Sequence, residues 1–67
     1  MEAIAVFVFL NGAGQPVGSP ERMPKQAYEL CREIADDPQR QERYVRIYQR
    51  EHPTVRSMRV SCLIQNR

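Results

Sequence analysis

The apolar residues of this chain fall into three patterns, and each predicts a different element. In AIAVFVFL, residues 3–10, no polar residue interrupts the run. Its Val, Ile and Phe content predicts a strand, and the missing alternation predicts a central one with both faces covered. From Lys25 to Asp36 the spacing becomes helical: Ala27, Tyr28, Leu30, Cys31, Ile34 and Ala35 share one face, and Lys25, Glu29, Arg32, Glu33 and Asp36 the other. In TVRSMRVSCLI, residues 54–64, Met58, Val60, Cys62 and Ile64 alternate with Ser57, Arg59 and Ser61, the pattern of a half-buried strand that only Leu63 interrupts.

Turn and break residues separate these segments. Asn11-Gly12 supplies the positive φ angles of a tight reversal, and Gly14 loosens the same region. Gln15–Gly18 can add only a short second strand, because Pro16 has no N–H to donate and belongs on an edge. Pro24 breaks any helix begun at Ser19, so the first stable helix is expected to start near Pro24. At Asp36-Asp37-Pro38 an N-cap precedes a first-turn proline, and a second helix begins. On one continuous helix Tyr44, Val45, Ile47 and Tyr48 would point roughly 100° away from the first apolar set, and a break repairs the phase. That second helix is expected to run to about Glu51, before His52-Pro53 ends it.

The elements predict one small α+β domain over residues 1–67: a two- to three-stranded, mainly antiparallel sheet of order β-(β)-α-α-β, with the helix broken at Asp36-Asp37-Pro38 packed on one face. A chain of 67 residues buries only about 60% of the surface that its unfolded form exposes, so the stability margin is thin. If helices cover one sheet face, the other carries either Ala3, Ala5, Phe7 and Phe9 or Ile4, Val6, Val8 and Leu10. Neither set suits water, which predicts a homodimer, sheet on sheet or edge on edge, with Val6, Phe7, Val8 and Phe9 at its interface.

Composition adds little: 42% apolar and 27% charged residues describe an ordinary globular domain. The longest apolar run, Ala3–Leu10, is far below the roughly 20 residues that cross a bilayer, and no membrane partner is expected. Glu2 stands where a signal peptide carries basic residues, so a cytoplasmic location is expected.

Candidate chemistries are undersupplied. Gly12, Gly14 and Gly18 spell G-x-G-x-x-x-G, with Val17 where the dinucleotide fingerprint needs glycine and Pro16 inside the turn. No GK[ST] exists, so no cofactor is expected. Cys31 and Cys62 lack CxxC spacing and a nearby histidine, so a zinc site is not expected; buried thiols are the first reading for them and a helix-to-strand disulfide the alternative. His52 before Pro53 reads as a helix cap or exposed ring. Asp36 and Asp37 read as caps rather than as an acid pair. An enzyme, a metal site and a small-molecule substrate are therefore not expected.

Charge is distributed unevenly. Residues 1–37 hold three basic and six acidic side chains, net −3, whereas residues 38–67 hold seven arginines and two glutamates, net +5. Nine of the ten basic residues are arginines, whose planar fork suits carboxylates and phosphates. Arg43, Arg46 and Arg50 fall within about 60° on the second helix, opposite Tyr44, Val45, Ile47 and Tyr48. Arg40 lies to one side, and Arg56 and Arg59 extend the basic area onto the last strand. The expected function is a non-catalytic interaction protein, of the modulator or inhibitor type, that docks these six arginines on an acidic protein surface. The alternative is phosphate binding on a nucleic-acid backbone, although Tyr44 and Tyr48 point inward rather than offering stacking platforms.

Overall fold

A computed structural model describes residues 1–65. The elements follow in the order β1 (Glu2–Asn11), β2 (Glu21–Arg22), β3 (Gln26–Ala27), α1 (Tyr28–Ala35), α2 (Pro38–Tyr48) and β4 (Val55–Gln65). All four strands form one antiparallel sheet and both helices pack on it, a small α+β fold.

Strand β1 is central, as its apolar run predicts, but helices cover only one of its faces rather than both. On one side it pairs with β4 from Glu2↔Gln65 to Asn11↔Val55, a regular ladder but for a bulge at Arg56. On the other side the chain from Pro16 to Ala27 runs back along β1 as an interrupted edge. Val17 N–H donates to Phe9 O at 2.8 Å, Val6 faces Arg22, Met23 N–H donates to Ala5 O at 2.9 Å, and Ala3 faces Gln26. Pro16, Pro20 and Pro24 supply no N–H, so only the two-residue strands β2 and β3 persist between them.

The reversal between β1 and this edge closes on Asn11. Its Oδ1 accepts from Ala13 N–H at 2.9 Å and Gln15 N–H at 3.0 Å, and the positive φ of the turn falls at Gly14 (78°) rather than at Asn11-Gly12. Helix α1 starts at Tyr28, later than expected near Pro24, because Gln26 and Ala27 bond to β1 and Tyr28 N–H donates to Met1 O. The break at Asp36-Asp37-Pro38 is present, with Asp37 Oδ1 capping Gln39 and Arg40 N–H and Pro38 in the first turn of α2. Helix α2 ends at Tyr48, three residues short of the expected end, and the chain continues in turns to His52.

Both helices lie over the odd-numbered face of β1. Ala3 and Ala5 are fully buried, Phe7 and Phe9 are 3% and 4% exposed, and Cys31, Ile34, Val45 and Val55 complete the core. Small and large residues divide the face. Cys62 sits opposite Ala5, and its disulfide to Cys31 fixes α1 beside the alanine end. Tyr44 and Tyr48 of α2 lie over Phe7 and Phe9 at centroid distances of 5.0 and 3.9 Å. Leu30, which the helical pattern assigns inward, is instead half exposed, because an eight-residue helix on a narrow sheet buries only the Cys31–Ile34 line fully.

The cysteines thus adopt the disulfide alternative. Closing a loop over a separation of 31 residues stabilises the fold by roughly 3–4 kcal/mol. That is large against the roughly 3–10 kcal/mol expected for a chain of this length. Intact mass spectrometry without reductant should give a chain lighter by two hydrogen atoms that resists alkylation at Cys31 and Cys62. The Cys31→Ser/Cys62→Ser variant should lose about 3 kcal/mol in urea unfolding.

Candidate protein-interaction surface

Helix α2 is held at both ends and along one side. At its N-terminus the Asp37 cap fixes the first turn, and Gln41 Nε2 donates to Ile34 O and Ala35 O, both at 2.9 Å, tying α2 to the last carbonyls of α1. Past its C-terminus Gln49 Nε2 donates to Val55 O at 2.6 Å, which joins the helix to the start of β4. Tyr48 is stacked between Phe9 and His52, at 3.9 and 4.5 Å between centroids. His52 is thereby the outer ring of an aromatic stack, and a packing role accounts for it.

This clamping sets the rotation of α2. Val45, Gln41 and Tyr48 turn toward the sheet, and Ile47, expected inward, is 60% exposed. At 100° per residue Ile47 lies between Arg40 and Arg43, with Arg50 one turn further on. Arg43, Arg46 and Arg50 are exposed, and Arg40 is half-buried. Arg46 pairs with Glu42 at 2.6 Å and Arg40 approaches Asp37 at 3.9 Å. Among the described residues Arg43 and Arg50 have no carboxylate partner. The free cations therefore flank the exposed isoleucine, and the paired ones stand beside them.

Two shallow depressions meet at this ridge. One, of about 340 Å³, is lined by Arg40, Arg43, Tyr44 and Ile47. The other, of about 200 Å³, is mainly apolar and runs between α2 and β2, with Phe7 and Phe9 as its floor and Glu21, Met23, Tyr44, Ile47 and Tyr48 as its walls. The apolar groove is smaller than the roughly 300–1,000 Å³ of small-molecule sites. Its continuity with the arginine-bearing depression suits a protruding side chain of a macromolecular partner.

The six arginines do not form one patch. Arg40, Arg43, Arg46 and Arg50 share the outer layer of α2. Arg56 occupies the β4 bulge, donates to Pro53 O and Val55 O, and borders a separate cleft with Pro38 and Gln41. Arg59 stands opposite Val8, on the sheet face turned away from the helices. The four expected dimer-interface residues divide in the same way. Val6 and Val8 lie on that open face with Ile4 and Leu10, each half-buried, while Phe7 and Phe9 are in the core and unavailable to a second copy. Their helix cover is the physical reason. Exposure of Ile47 was hidden in the sequence because its position at the border of the apolar face allows either side.

Comparison with protein-family models, curated proteins and solved structures finds no match.

Gly18 closes the far side of the aromatic stack. It has a φ of 71°, and a Cβ there would lie 2.8 Å from Tyr48 Oη and 3.6 Å from His52 Cε1. Gly18→Ala should cost about 1–3 kcal/mol by strain and by displacing Tyr48. The check is thermal unfolding, with the ring resonances of Tyr48 and His52 moving in parallel.

Proposed function

We propose that the protein is a non-catalytic interaction module that docks an acidic protein partner on the outer face of α2, as a modulator or inhibitor would, and that it works as a homodimer. The observation that carries the reading is Ile47, 60% exposed between Arg40 and Arg43 and beside an apolar groove. Interfaces place an apolar or aromatic anchor at the centre and charged groups at the rim, with arginine and tyrosine enriched among the residues that carry binding energy. Phosphate binding has no use for an exposed isoleucine at the centre of its cations, and this favours a protein over a nucleic acid. The unpaired Arg43 and Arg50 supply attraction and register, and the ion-paired Arg46 contributes less because Glu42 already neutralises it.

Among the described residues, no helix is long and apolar enough to cross a membrane. A cytoplasmic site of action, the expectation from the sequence, implies a reducing environment. In a reducing cytoplasm the Cys31–Cys62 bridge would open, and its stabilisation is available only where the compartment is oxidising.

Two variants separate the partner classes. Ile47→Ala removes the anchor without changing charge, and Arg43→Ala/Arg50→Ala removes the free cations. An acidic protein from the native host should be retained by wild-type bait and lost by at least tenfold with either variant. Random DNA and RNA should bind negligibly even at about 50 mM salt. Nucleic-acid binding that falls steeply by about 200 mM salt, is weakened by the arginine variant and is unchanged by Ile47→Ala would establish the phosphate reading instead. Retention that ignores both variants would leave the face of α2 as merely solvated.

A further inference from the structure

The two edges of the sheet are built differently. The edge from Pro16 to Ala27 carries three prolines, Gly18 at positive φ and Lys25, and its strands are two residues long. These are the devices by which proteins prevent an edge from pairing with another chain. Over Ser57–Gln65 the β4 edge is a regular nine-residue stretch without Pro, Gly or Lys, with Arg59 its one charged side chain, and the bulge at Arg56 lies outside it. Among the described residues β4 pairs with β1 alone, so over Ser57–Gln65 its outer edge has no strand partner, and Ile64 O accepts only from Gln65 Nε2 at 3.5 Å. Leu63 and Ile64, 43% and 46% exposed, are on this strand.

We propose that β4 pairs antiparallel with β4 of a second copy, with Ser61 on the two-fold axis. This deepens the homodimer reading above and rests on it. Overlapping Ser57–Gln65 on itself matches side chains by chemistry on both faces. On the helix-bearing face Met58 meets Ile64 of the second copy and Val60 meets Cys62. On the open face Ser57 meets Gln65, Ser61 meets Ser61, and the stem of Arg59 lies against Leu63. The two Arg59 side chains are four residues out of register, about 14 Å apart, beyond the screening length of about 8 Å at physiological salt. Moving the axis by two residues to position 59, a slide of four residues between the strands, sets Arg59 against Arg59, and the charge repulsion disfavours that register. The paired strands supply about eight main-chain hydrogen bonds, through Met58, Val60, Cys62 and Ile64 of each copy, within the range of an ordinary protein interface.

Stacking the open faces instead is disfavoured by charge. Arg22 stands opposite Val6 and Arg59 opposite Val8, so both arginines of each copy would converge on a narrow apolar centre. Edge pairing leaves them in water and joins the two sheets into one, with both helix layers on the same side.

Sedimentation equilibrium at up to about 100 μM tests this. Wild type should show twice the chain mass of 7.8 kDa. Leu63→Arg, which opposes two pairs of like charges, should weaken the dimer about tenfold, and adding Arg59→Glu should restore it. Val6→Lys, on the open face, should leave the dimer intact. Amides of β4 that point away from β1 should gain hydrogen-exchange protection with concentration. A wild-type monomer at all concentrations overturns the inference, while docking on α2 is read separately from Ile47→Ala. A dimer lost with Val6→Lys but kept with Leu63→Arg overturns it in favour of face stacking.

Discussion

The ladder between β1 and β4 joins residues from the two ends of the chain, and the remaining elements take their places from it. Bringing Glu2 beside Gln65 closes the longest loop in the molecule before any local contact rewards the closure. Apolar burial on β1 offsets part of that cost, and the Cys31–Cys62 bridge removes conformations from the unfolded chain. The bridge does more than shorten a loop. It sets α1 beside the alanines of β1, leaving the phenylalanine end to the tyrosines of α2.

Register is the critical variable in this arrangement. A one-residue slip in β1 exchanges Phe7 and Phe9 for Val6 and Val8 under the helices. In the observed register, aromatic stacking over Phe7 and Phe9 fixes the rotation of α2 and turns Ile47 outward. Strength in the core and exposure on the surface have one cause: the side of α2 that holds Tyr48 in the stack is the side opposite its arginines. The open sheet face is the cost of having helices for only one layer. Its residues shield one another in part, so Ile4, Val6, Val8 and Leu10 are half-buried without a covering element.

Much of this was legible in the sequence where the pattern is local. The central strand, the break at Asp36-Asp37-Pro38, the second helix and the alternating last strand follow from periodicity and capping, and the structure contains each. Features that depend on partners distant in the chain were not legible. Gln26 and Ala27 look helical by pattern but bond to β1, and Leu30 and Ile47 look apolar and inward but lie where a narrow sheet cannot cover them. The uninterrupted apolar run of β1 could not say which alternate set the helices cover. Likewise, the arginines of α2 and β4 are separated because the β4 pleat puts Arg59 on the opposite face from α2.

Side-chain and backbone nuclear Overhauser effects on the wild-type protein test whether the helices cover the odd-numbered face of β1. Coverage of that face gives cross-strand contacts from Ala5 to Cys62 and from Val8 to Arg59, with ring contacts from Phe7 to Tyr44 and from Phe9 to Tyr48. Contacts from Val6 or Val8 to α1 or α2, or a ladder displaced by one residue, would contradict it, because Phe7 and Phe9 would then face outward and Ile47 would have no reason to.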